Sequence, residues 1–195
     1  TVAGATPPAT AAAAALARTD FLSAYTALQA QSASCTPMLG TTLAGENLAP
    51  GVYCLDAVAK TGVLTLTGPA NGVWIFLVDG ALTGTNLSVN MAGGGQPCNV
   101  FWAPSAAATL TTSSFKGSIL AGDPVGGSVT FTGSTLAGRA LANIAVTMTT
   151  TGVISCGALS GASLPPGSPG AGTPPTCNNN TAVEVENEHE EQSGR

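Results

Sequence analysis

One pattern constrains this chain more than any other. Ala81-Leu-Thr-Gly-Thr85, Thr109-Leu-Thr-Thr-Ser113, Thr130-Phe-Thr-Gly-Ser134 and Thr147-Met-Thr-Thr-Thr151 repeat one motif, and Val63-Leu-Thr-Leu-Thr67 precedes them. Successive side chains of a strand point to opposite faces. Alternation therefore predicts a core column of Leu64, Leu82, Leu110, Phe131 and Met148, backed by an outer grid of Thr and Ser. The last three steps between the motifs are 28, 21 and 17 residues, with Gly93-Gly94-Gly95 stretching the longest. A second repeat, Phe115-Lys-Gly-Ser-Ile-Leu-Ala121 with Leu136-Ala-Gly-Arg-Ala-Leu-Ala142, recurs at 21. Repeats of about 20 residues built only from strands and turns predict a mainly β fold, a β-solenoid (β-helix) whose coils share one elongated core. Its two ends expose strand edges that need covering.

Ahead of the repeats lies one helix. Pro7-Pro8 predicts that residues 1–8 are extended, and Thr10 is placed to cap a helix reaching about Gln31. Phe21, Tyr25 and Leu28, with Leu16 and Leu22 nearby, form its apolar stripe. The sequence thus divides into an extended segment (1–8), a helix-plus-solenoid domain (9–160), and a Pro/Gly linker with an acidic tail (161–195). The linker, Leu164-Pro-Pro-Gly-Ser-Pro-Gly-Ala-Gly-Thr-Pro-Pro175, holds no core pattern.

Charge is scarce and unevenly placed. Charged residues make up 8% of the chain, against about 25% in an average soluble protein. Residues 1–176 sum to −1, whereas the last 19 sum to −4. Five Lys and Arg in all exclude the basic footprint of a nucleic-acid binder. The longest bulky run, Val73-Trp-Ile-Phe-Leu-Val78, stops at Asp79 and is too short to span a membrane. The only histidine, His189, lies in the tail, so no Ser-His or Cys-His pair is expected in the body. No CxxC pair suggests a metal site. Trp74, Phe101 and Trp102 are expected in the core.

The chain begins at Thr1 rather than Met, which predicts a removed leader and, with five cysteines, an extracellular setting. The expected pairs are Cys35 with Cys54 and Cys98 with Cys156, leaving Cys177 over. Spacing does not fix connectivity.

Several segments together resemble the ice-binding protein family, also called the domain of unknown function 3494. They are Leu48-Ala-Pro-Gly-Val-Tyr-Cys54, Val73-Trp-Ile-Phe76, Cys98-Asn-Val-Phe-Trp102, Ala108-Thr-Leu110, Phe115-Lys-Gly-Ser-Ile-Leu-Ala121, Gly138-Arg-Ala-Leu-Ala142 and Ala145-Val-Thr147. The resemblance covers residues 12 to 156. It implies a right-handed β-solenoid of roughly triangular section with one long α-helix alongside, no enzymatic activity and no cofactor. It also implies an ice surface as partner, met by one flat face. The candidate face comprises Thr65, Thr67, Thr83, Thr85, Thr109, Thr111, Ser113, Thr130, Thr132, Ser134, Thr147, Thr149 and Thr151. Thr is favoured on any exposed strand, so the grid alone does not select ice, and the sequence does not say which of three faces is flat. Family members usually carry a further stretch before the helix; here only Thr1 to Pro8 precede it. This leaves a second expectation, an extracellular filament or adhesion subunit built by strand donation between copies. Its candidate tail residues are Cys177, Thr181, Val183 and Val185, within the alternating Thr181-Ala-Val-Glu-Val-Glu186.

Overall fold

A computed structural model describes residues 7–122 and 127–154, with side chains from Ala12 onward. The chain opens with helix α1 (Pro7–Gln29), prolonged by a 3₁₀ turn at Ala30–Ser34. Thirteen strands follow among the described residues: β1 (Thr36–Met38), β2 (Asn47–Leu48), β3 (Gly51–Asp56), β4 (Lys60–Thr67), β5 (Trp74–Asp79), β6 (Leu82–Ala92), β7 (Val100–Pro104), β8 (Ala108–Thr111), β9 (Ser114–Ala121), β10 (Ser128–Thr132), β11 (Thr135–Ala142), β12 (Ala145–Thr149) and β13 (Gly152–Ile154).

All the pairings are parallel, and they sort into three stacks. The first runs β1-β3-β5-β7 and continues through the second halves of β9 and β11. The second takes the start of β6, then β8, β10 and β12. The third takes β2, β4, the end of β6, and then the starts of β9 and β11 before β13. One strand segment per face and per turn is a β-solenoid of triangular section, about five turns long.

The interior is apolar along its length. Leu64, Leu66, Trp74, Phe76, Leu87, Val89, Val100, Trp102, Leu110, Phe115 and Phe131 are fully buried. An aromatic ladder climbs the axis, from Tyr53 to Phe76 (ring centroids 5.5 Å apart), Trp102 (3.9 Å), Phe115 (4.8 Å) and Phe131 (6.5 Å). Both indoles find a backbone acceptor, Trp74 at Leu48 O and Trp102 at Lys116 O, each at 3.0 Å. Phe101 faces outward instead, under the helix.

Helix α1 covers the first stack. Phe21, Tyr25 and Leu28 pack on Leu77, Ala103 and Leu120, beside Val52 and Ile75. Cys35 bonds Cys54 and ties the end of the helical segment to β3, as expected. Cys98 is also disulfide-bonded, but Cys156, its expected partner, lies outside the described residues.

Three local expectations need correction. The helix begins at Pro7, not after a Thr10 cap. Proline lacks a donor that a helix's first turn would leave unused, and its fixed φ suits that turn. Pro7-Pro8 therefore starts the helix rather than preceding it. Leu16 does not join the apolar stripe, being 63% exposed. The β6–β8 step is 26 residues, not 28. Thr83 pairs with Thr109, Leu82 sits over Ala108, and Gly84 sits over Leu110. Volume sets this register, since a Cβ on Gly84 would lie 2.5 Å from Leu110 Cδ2. Large residues stack on small ones. The supposed single core column is accordingly several. Leu64 continues into Val89 on another face, and Leu82 leads through Ala108 and Val129 to Val146. Met148 follows Leu110 and Phe131 but is 39% exposed, at the last turn described.

Candidate functional site: a threonine face

The second stack carries the site. Its pairings place Thr83, Thr109, Thr130 and Thr147 in one column, and Thr85, Thr111, Thr132 and Thr149 in the next. Four Thr-x-Thr rows thus lie in register. Threonines two apart on a strand are about 6.6 Å apart, and neighbouring strands about 4.7–4.9 Å apart. All eight side chains lie outside the core and are exposed or half-buried. Thr is β-branched and stiff at χ1, so the rows present methyls and hydroxyls in a repeated orientation. No charged residue occurs in residues 82–85, 108–111, 128–132 or 145–149.

Two further threonines extend the face, and the sequence reading missed both. Lys60 pairs with Gly84, which brings exposed Thr61 beside the Thr85 column, and Thr42 bridges Thr61. The bulge between Lys60 and Gly62 hides them, because it breaks the strict alternation on which the pattern search rests.

Each row ends at the same kind of corner. Asn86 (φ 51°), Thr112 (φ 47°), Gly133 (φ 57°) and Thr150 (φ 48°) all adopt the left-handed conformation. That one residue turns the chain towards the third stack and reverses the alternation beyond it. Ser113 and Ser134 are consequently buried, and they do not belong to the face as expected. Instead they bond the corners together. Ser113 Oγ donates to Thr111 O (2.9 Å) and accepts from Leu87 N (3.2 Å). Ser134 Oγ donates to Thr132 O (3.0 Å) and accepts from Ser113 N (3.1 Å). Thr151 Oγ1 donates to Thr149 O (3.1 Å), repeating the motif one turn on. This ladder holds successive rows at a fixed offset.

Thr65 and Thr67 are also misplaced by the sequence reading. They belong to the third stack, where Thr65 lies between Asn47 and Asn90, and Thr67 Oγ1 bonds Asn47 Oδ1 at 2.6 Å. That face is mixed, carrying Val63, Ser88, Asn90 and Lys116. The first stack is roofed by the helix. Of the three faces, only the second combines regularity, exposure and absence of charge.

At the first turn, Lys60 is 1% exposed, and its ammonium donates to Asp56 Oδ1 and to Gly40 O. The Lys60 hydrogen bond holds the Asp56 carboxyl below the usual carboxylate range. This pair closes the core where the solenoid begins. Among the described residues, no group of three His, Cys, Asp or Glu could hold a metal ion, and no helix is long and apolar enough to cross a membrane. Cys177, Thr181, Val183 and Val185 lie outside the described residues.

A family model described as ice-binding-like matches residues 1–154. The chain belongs to the ice-binding-like family. It is 37% identical over 83 residues to an ice-binding protein of Flavobacterium frigoris (strain PS1), a match covering 41% of this chain and 30% of that protein. It is 38% identical over 115 residues to an ice-binding protein of Nostoc sp. (strain HG1), covering 55% and 41% respectively. Among solved structures, the ice-binding protein of the Antarctic ascomycete Antarctomyces psychrotrophicus superimposes with a TM-score of 0.63 at 30% identity, covering 73% of this chain and 71% of that one. The chain spans less than half the length of the two curated relatives it matches. The family is non-enzymatic.

Proposed function

We propose that this protein binds ice through the face built from Thr83, Thr85, Thr109, Thr111, Thr130, Thr132, Thr147 and Thr149, extended by Thr61 and Thr42. The observation that carries this reading is the in-register stacking of four Thr-x-Thr rows on one uncharged face. A rigid array of methyls and hydroxyls at regular spacing can hold a layer of ordered water that matches an ice surface. Such a surface needs flatness and repetition rather than any single strong group. Family membership and relatives that are themselves named ice-binding proteins support the assignment. An extracellular setting fits the Cys35–Cys54 disulfide, since disulfides persist in oxidising compartments.

The test is ice-crystal shaping and thermal hysteresis of the purified protein. Thr109→Tyr and Thr132→Tyr, at the centre of the face, should abolish most of both effects. Thr65→Tyr, on the neighbouring face, should leave them unchanged. Equal loss in all three variants, or no wild-type effect at all, would sink the proposal.

A further inference from the structure

The threonine face carries a two-dimensional spacing, and we infer that it meets a prism plane of ice through three columns of side chains, with the strands along the hexagonal axis of the crystal. This rests on the ice-binding reading above and names the crystal plane that the same face takes.

The face is wider than its threonines. Two residues before the first threonine of each row lies a small residue: Ala81, Ala107, Ser128 and Ala145. Ser128 pairs with Ala145, and the Leu82 amide donates to Ala107 O at 2.9 Å. Alternation puts these four on the outer side. All are half-buried or exposed, whereas their neighbours Leu82, Ala108 and Val129 are buried. The rows therefore read Ala81-x-Thr83-x-Thr85, Ala107-x-Thr109-x-Thr111, Ser128-x-Thr130-x-Thr132 and Ala145-x-Thr147-x-Thr149. Nothing bulkier than threonine stands on their outer side.

The net is rectangular. Register partners in these parallel pairs lie opposite one another, so the columns cross the rows at about a right angle. Its sides are about 4.8 Å from turn to turn and about 6.6 Å along a strand.

Ice offers nets of fixed shape. Each water is tetrahedral, with neighbouring oxygens about 2.75 Å apart. That geometry repeats about every 4.5 Å within a hexagonal layer and about every 7.3 Å along the hexagonal axis. A prism plane contains both repeats at right angles. The basal plane contains the first, with a perpendicular repeat of about 7.8 Å.

The accumulated mismatch separates the two planes. With the face centred, the outermost rows miss their sites by about 0.5 Å on either plane. The outer columns miss by about 0.7 Å on the prism plane and about 1.2 Å on the basal plane. The larger error approaches half an oxygen–oxygen spacing, where a side chain sits between sites rather than on one. The third column thus makes the choice, because a single column has no such error to accumulate.

The other two faces share these backbone spacings. One lies under the helix, and the other mixes Val63, Asn90 and Lys116 into its columns. Side-chain identity selects the face, and backbone spacing selects the plane.

The experiment grows a single ice crystal from a dilute solution of the full chain carrying a fluorescent dye on Lys116, and images where the dye is taken up. Lys60, the other lysine, is buried, and Lys116 lies on the third stack, so the label stays off the face. Uptake strongest on the prism faces is expected. Uptake as strong or stronger on the basal or any other plane overturns the inference while leaving ice binding intact. Uptake on no plane means that the ice-binding reading itself fails, and the choice of plane with it. A second arm tests the third column with Ser128→Tyr and Ala145→Tyr, both at outward positions. Each should lose most of the thermal hysteresis while circular dichroism shows the solenoid still folded. Wild-type hysteresis in either variant overturns the three-column contact.

Discussion

A Cβ placed on Gly138 would lie 1.9 Å from the carbonyl oxygen of Gly117. The two glycines pair in the β9–β11 register at the corner where the third stack passes into the first. The repeat at 21 residues thus encodes a backbone-on-backbone approach that admits no side chain. Gly138→Ala should cost more than about 3 kcal/mol or prevent folding. Gly133→Ala, where nothing but Thr112 Cγ2 at 4.0 Å comes near but φ is +57°, should cost only about 1–2 kcal/mol. Denaturant unfolding of the two variants checks the contrast.

Thr112 holds a left-handed φ that β-branched residues disfavour, whereas the equivalent corner uses Asn86 one turn earlier. Thr112→Asn should therefore raise stability by about 0.5–1 kcal/mol. Because Thr112 lies at the corner rather than in either column, ice-crystal shaping should not change. Thermal unfolding together with hysteresis measures both.

Ser134 Oγ serves two neighbouring turns at once. Ser134→Ala would leave the buried Ser113 N–H without its acceptor, costing about 1–3 kcal/mol. Thr132→Ser, two residues away on the exposed face, should change stability by less than about 0.5 kcal/mol. If the serine ladder only decorated the surface, the two variants would unfold alike.

The Asp56 carboxyl titrates below its unfolded value of 3.8 because Lys60 bonds its charged form. A depressed folded pKa contributes stability that is complete above the unfolded value and disappears as pH falls through the folded one. Acid titration of the melting temperature should show this loss below about pH 4 in wild type. Asp56→Asn should remove that component while lowering stability at neutral pH. An identical acid profile in the variant would contradict the pairing.

Much of the site was legible because strand alternation is local. Thr109, Thr111, Thr130 and Thr132 needed only period two and the 21-residue repeat, and both survive in the β8–β10 register. Ser113 and Ser134, expected on the face, leave it because one left-handed residue before each reverses the alternation, and Thr112 is not a residue type that announces such a turn. Thr65 and Thr67 carry the right motif on the wrong face. Thr61 and Thr42 lie on the right face with a bulge in place of the motif.

The sequence by itself determined the fold class, the presence of one helix ahead of the solenoid and the burial of Trp74 and Trp102, whereas Phe101 turned out to face the helix. Each depends on local period, composition or a repeated motif. Tertiary structure decided which turn stacks on which, and hence which threonines share a face. Register between turns depends on corner length, on bulges, and on whether a Gly84 or an Ala108 leaves room for the Leu opposite. Those terms act between residues some 26 apart, where no single-strand pattern reaches, and a slip of one residue would turn every threonine inward.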